Sequence, residues 1–223
     1  MLPYRLRPPI YGGKQRDVED ALDLTQPYRE GGPLERAIKA DILRLSPEFE
    51  AKLSDLDTSE DSLPVGSAFR AFKQVFGGAK VAMLHRLVPP RCDRSAYSQL
   101  LYGVCLSLLR AAFTEKVSSR PFFEKAAYAT FTLYSLYETN PLPTGPDKLI
   151  QLMPMGQNDP ENPKTLYRRA FRHPIRIDME HYGYILQLRD LAKAAESRSE
   201  TKTDEALGSD LAVVLDRLCF DFC

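Results

Sequence analysis

The chain has no tryptophan, only four cysteines and only three histidines, and its 30 Lys and Arg residues are matched by 30 Asp and Glu residues. Each scarcity excludes something. Four cysteines scattered over 223 residues (Cys92, Cys105, Cys219 and Cys223) cannot make a disulfide framework. No CxxC pair is present, and the Cys/His partners that would complete a closed zinc site around Cys219 and Cys223 are missing. A net charge of zero excludes a polybasic protein whose whole surface attracts polyanions. Long hydrophobic runs are also lacking. The longest uncharged stretch, Ser95 to Leu109, is broken by Ser98, Gln99, Gly103 and Ser107 and falls short of the ~20 apolar residues of a membrane span. The opening MLPYRLRPPIYGG lacks the uninterrupted apolar segment of a secretory signal. The expectation is a soluble cytosolic or nuclear chain, with no membrane partner, no metal and no cofactor.

What is present is ordinary globular material, 43% hydrophobic and 27% charged. A chain of this length buries roughly 70% of its unfolded surface, so it folds without disulfide or metal support. Three regions are expected. Residues 1–33, punctuated by Pro3, Pro8, Pro9, Gly12, Gly13, Pro27, Gly31, Gly32 and Pro33, read as an extended N-terminal arm whose Arg5, Arg7, Lys14 and Arg16 precede any acid. Residues 34–61 read as a helical hairpin and acidic linker, with Leu34, Ile38, Ile42 and Leu45 at helical spacing and Ser46-Pro47 opening a second helix. Residues 62–223 read as a helical core domain with a Pro-rich loop over 141–174.

Within that core, Phe69, Phe72, Val75 and Phe76 predict a short amphipathic helix stopped by Gly77-Gly78, with Gly77 as a left-handed cap. Val81 to Leu87 predicts another helical piece. Tyr97, Leu101, Val104, Leu108 and Ala111 share one face of a longer helix. The uncharged run from Ala126 to Tyr137 predicts a helix buried on several sides. Ile175 to Asp178 is briefly strand-like, a helix follows through Tyr182, Ile185, Leu188 and Ala192, Glu196 to Glu205 reads as a charged linker, and Leu211, Val214, Leu215 and Leu218 close with a last helix. The fold class is all-α, with about seven or eight helices.

No catalytic set emerges. Gly77-Gly78-Ala79-Lys80 lacks the spacing of a phosphate-binding loop, and neither Gly66-Ser67 nor Gly208-Ser209 forms a nucleophile elbow. Asp178 and His181 fall at i, i+3, so a helix brings them together with Glu180 nearby, but one His and two carboxylates need ligands from elsewhere to hold iron or zinc. Asp178 is better explained as a helix-start residue. The expectation is a non-enzymatic protein.

Charge is unevenly distributed. Lys164, Arg168, Arg169, Arg172 and Arg176 occur with no acid among them, interleaved with Tyr167 and Phe171. Arg70, Lys73, Lys80, Arg86, Arg91 and Arg94 face only Asp93, whereas Glu48, Glu50, Asp55, Asp57, Glu60 and Asp61 face only Lys52. Such clusters suit phosphate contact, where each neutralised phosphate releases counterions, or docking on an acidic protein. Lys164, Arg168, Arg169, Arg172 and Arg176 are the candidate nucleic-acid-binding residues. The 11 Tyr and 11 Phe exceed what short helices need for their own core, which suits a subunit of a constitutive complex.

The segments PFFEKAAYATFTLYSLYETNPL and PIRIDMEHYGYILQLRDL resemble the subunit 1 family of the small-nuclear-RNA-activating protein complex. In that family a hydrophobic helix with an LYxLYxT-like ending precedes a KIRV-like strand entry and an amphipathic helix. The matching positions here are Leu133, Tyr134, Leu136, Tyr137 and Thr139, then Ile175, Arg176, Ile177, Tyr182, Ile185, Leu186 and Leu191. Weaker similarity extends over SAFRAFKQVFGGAKVAM and SDLAVVLDRLCFDF. The resemblance implies a nuclear scaffold subunit of a promoter-binding complex for small nuclear RNA genes. It would bridge a large Myb-repeat subunit and a second core subunit, touch promoter DNA mainly within the complex, and not self-associate. A free-standing helical adaptor that binds peptides in trafficking or signalling is the alternative.

Overall fold

The computed structural model describes residues 32–57, 66–88, 94–117, 119–140, 175–196 and 201–222. Residues 1–31 of the arm and all of the loop over 141–174 lie outside them. The described residues form α1 (Pro33–Leu43), α2 (Ser46–Asp57), α3 (Ser67–Gly78), a 3-10 helix (Val81–Arg86), α4 (Arg94–Ala112), α5 (Arg120–Thr139), α6 (Met179–Glu196) and α7 (Lys202–Phe222). No strand occurs among them, and the fold is all-α as its apolar periodicity predicts.

Helix α5 is the axis of the fold. Ser119 caps its start by accepting the Phe122 N–H at 3.3 Å, and Pro121 sits in the first turn, where a missing N–H costs nothing. Every residue from Ala126 to Tyr137 is buried, so this helix is enclosed on all sides. Helices α4 and α7 pack against it, and α6 packs on α7. Helices α2 and α3 close the remaining side, with Phe49, Leu53 and Phe72 fully inside the same core.

The aromatic residues make that core. Phe69 lies 5.0 Å from Phe131, and Phe49 meets Phe72 edge-to-face at 5.9 Å. Phe76, Tyr128 and Tyr134 extend the same cluster. Each such pair adds ~1 kcal/mol beyond its buried area. No Phe or Tyr whose side chain is described is exposed. The described rings are thus taken up by the protein's own interior and are not surplus to it.

Four local expectations are also corrected. Gly77 is not a left-handed cap; α3 runs through both glycines, and Lys80 takes the left-handed conformation at φ 54°. The buried residue at the end of α4 is Ala112, while Ala111 faces solvent, because helical drift carries the stripe on by one position. The acidic segment over 55–61 is not all linker, since α2 continues to Asp57. The last helix starts at Lys202, absorbing part of the charged stretch over 196–205. Thr201 accepts the Asp204 N–H at 3.2 Å, and Asp204 and Glu205 favour the positive end of the helix.

Candidate functional site

Of the five candidate nucleic-acid residues, Lys164, Arg168, Arg169 and Arg172 lie outside the described residues. Arg176 is exposed on the extended segment that leads into α6, and its backbone N–H donates to Gln99 Oε1 of α4 at 3.0 Å. Its neighbour Ile175 is buried and Ile177 half-buried. The alternation that suggests a strand instead belongs to a segment without regular structure, anchored to α4 by Ile175 and this bond, with Arg176 exposed.

Asp178 follows as the cap of α6. Its Oδ1 accepts both the His181 backbone N–H and the His181 Nδ1, each at 2.8 Å. The amide of His181, with its imidazole in support, holds the Asp178 carboxyl below its ordinary value. The pair is a helix-start device on an exposed segment, as the sequence spacing suggests.

The other titratable groups singled out by type are tied into packing. His85 is buried, and its Nε2 donates to the Leu136 carbonyl at 2.7 Å, fastening the 3-10 helix to α5. Cys105 is buried in α4, where loss of hydration pushes its thiol far up and keeps it inert. Near the end of α5, Asn140 Nδ2 donates to Tyr102 Oη at 2.7 Å and to Ser98 Oγ at 3.4 Å, a buried polar link to α4. Among the described residues, no group of three or more His, Cys, Asp or Glu side chains could hold a metal ion. Likewise, no described helix is long and apolar enough to cross a membrane.

One surface feature escapes the sequence pattern. A shallow groove lies between the end of α1 and the 3-10 helix, lined by Ile42, Leu45, Ala79, Val81 and Leu84, with the Asp41–Arg44 pair (3.7 Å) at its polar edge. Leu43 and Met83, next in sequence to lining residues, are exposed, as is Leu87. These three break the apolar spacing of their segments, and that break is the signal a sequence reading could have used.

No family model, no curated protein and no solved structure matches the chain.

Proposed function

We propose that the chain is a non-enzymatic scaffold subunit of a multi-subunit promoter-binding transcription factor for small nuclear RNA genes. It bridges the DNA-reading subunits and touches the phosphate backbone itself. The observation that carries this reading is the behaviour of the two segments that bear the family resemblance. Leu133, Tyr134, Leu136 and Tyr137, the LYxLY positions, are all buried in the central helix. The segment Ile175 to Asp178, which the family pattern implies to be a strand entry, leads without regular structure into helix α6. Both segments thus serve as structural anchors, and neither is a site of chemistry.

Co-expression tests the reading. The chain, produced with a Myb-repeat large subunit and a second core subunit, should elute with both as one assembly in size-exclusion chromatography. Separate elution in every pairwise combination would overturn it. The exposed Leu43, Met83 and Leu87 beside the α1 groove keep the peptide-binding adaptor as a second reading. That reading requires a monomer that captures a peptide without either subunit.

A further inference from the structure

Helix α3 and the 3-10 helix together contain no Asp or Glu: from Gly66 to Val88 every charged side chain is a cation. On α3, Arg70, Lys73, Gln74 and Gly77 fall at i, i+3, i+4 and i+7, and all four are exposed. Lys80, Met83 and Arg86, also exposed, follow at three-residue spacing, with Met83 and Arg86 on one edge of the 3-10 helix and Lys80 at its start. Several of the described cations elsewhere find acids. Arg44 pairs with Asp41, Arg110 with Glu180, Arg120 with Asp57 and Glu124, Lys125 with Glu115, and Lys193 with Asp216. Among the described residues no carboxylate lies within ion-pair distance of Arg70, Lys73, Lys80 or Arg86, although Arg70 feels the field of buried Asp210.

We propose that this strip is a docking face for the phosphate backbone of double-stranded DNA. Four cations without an ion pair among the described residues, along about 10 Å of α3 and about 12 Å of the 3-10 helix, suit a run of successive phosphates. The α3 rings Phe72 and Phe76 point into the core and Phe69 is half-buried under Lys73, so the strip lacks the stacking platform that single strands require. At its middle, Gly77 and Gly78 have open space where a Cβ would stand, leaving the helix backbone low between the cations. The proposal deepens the phosphate-contact part of the proposed function, but with different residues from the 164–176 cluster.

The test is fluorescence anisotropy of the full chain with a labelled DNA duplex of arbitrary sequence, across a salt series. Four contacts contribute about −3.6 to the log–log salt slope, or on the order of 100-fold in affinity between about 50 and 200 mM salt. The variant Arg70→Ala/Lys73→Ala/Lys80→Gln/Arg86→Ala should lose most of that slope, while Lys116→Ala/Lys125→Ala/Lys193→Ala, which removes exposed cations from other segments, should retain it. A second variant, Gly77→Gln, adds bulk in open space; it should melt no lower than the parent and bind the duplex several-fold more weakly. An unchanged slope in the fourfold variant, or no duplex binding by the parent chain, would overturn the proposal. So would equal competition by poly-glutamate, which would mark an acidic-protein face, or stronger competition by an RNA duplex. Co-elution with the two partner subunits is read separately, so the scaffold role and this strip can fail independently.

Discussion

Asp210 of α7 caps α3 from 144 residues away: its Oδ1 accepts the Gly66 N–H at 2.7 Å, and its Oδ2 accepts the Phe69 N–H at 2.9 Å. Gly66, at φ 93°, has no side chain with which to cap its own helix, so the last helix supplies the missing acceptor. Burial pushes the Asp210 carboxyl up, while these amides, that of Ala68 and the Arg70 charge pull it back. Asp210→Ala strands buried donors and should cost about 1–3 kcal/mol. Asp210→Asn, which keeps one acceptor, should cost less. Thermal unfolding of the two variants checks the order; equal melting of Asp210→Ala and the parent would contradict it.

Asp178 gives a pH dependence with a definite sign. Its folded carboxyl sits below the ordinary value of 3.8, held there first by the His181 amide. A lowered carboxyl means that the unfolded chain binds the proton more tightly. The Asp178 contribution is therefore complete above the unfolded value and is lost as pH falls through the folded one. Asp178→Asn should flatten this part of the acid limb, and Asp178→Ala should also remove the cap at about 1 kcal/mol near neutral pH. Urea unfolding of parent and variants from pH 7 down to pH 3 measures both effects.

The aromatic cluster should respond steeply to truncation. Phe131 is fully buried and meets Phe49, Phe69 and Phe72. Phe131→Ala should cost about 3–5 kcal/mol. At this chain length that lowers Tm by on the order of 10 °C. Tyr128→Phe, which keeps the ring and removes the hydroxyl bond to the Ile42 carbonyl, should cost about 1 kcal/mol. Similar losses for both would show that the rings are not tightly packed.

Glycine and lysine stand in each other's conformational places at the end of α3. Lys80 is left-handed, which costs a non-glycine residue about 1 kcal/mol, whereas Gly77 and Gly78 are helical with nothing opposing a Cβ. Lys80→Gly and Gly77→Ala should each raise stability by about 0.5–1 kcal/mol in chemical denaturation. A destabilising Lys80→Gly would mean that its side chain does more in the fold than the exposed ammonium suggests.

The parts of the fold that the sequence made legible are those governed by local spacing. The buried run of α5, the stripe of α4 from Tyr97 to Leu108 and the Asp178 start of α6 follow from 3.6-residue periodicity and capping chemistry. What the sequence concealed depends on distant residues. Asp210 looks like one more helix acid until α7 is laid beside Gly66. The rings look surplus until α2, α3 and α5 are brought together around Phe131. Charge was legible as a local excess around Arg70 to Arg94, but its outward strip depends on which face of α3 the core takes. Arg176 is the one member of the 164–176 cluster whose placement is described, exposed and held by Gln99.

The central claim is the scaffold role, and capture of this chain from its own cells, with and without nuclease, tests it most directly. Mass spectrometry should recover a Myb-repeat protein and a second core subunit in both preparations, since the proposed contacts are between subunits. Loss of both after nuclease, or recovery of trafficking proteins in their place, would contradict the account.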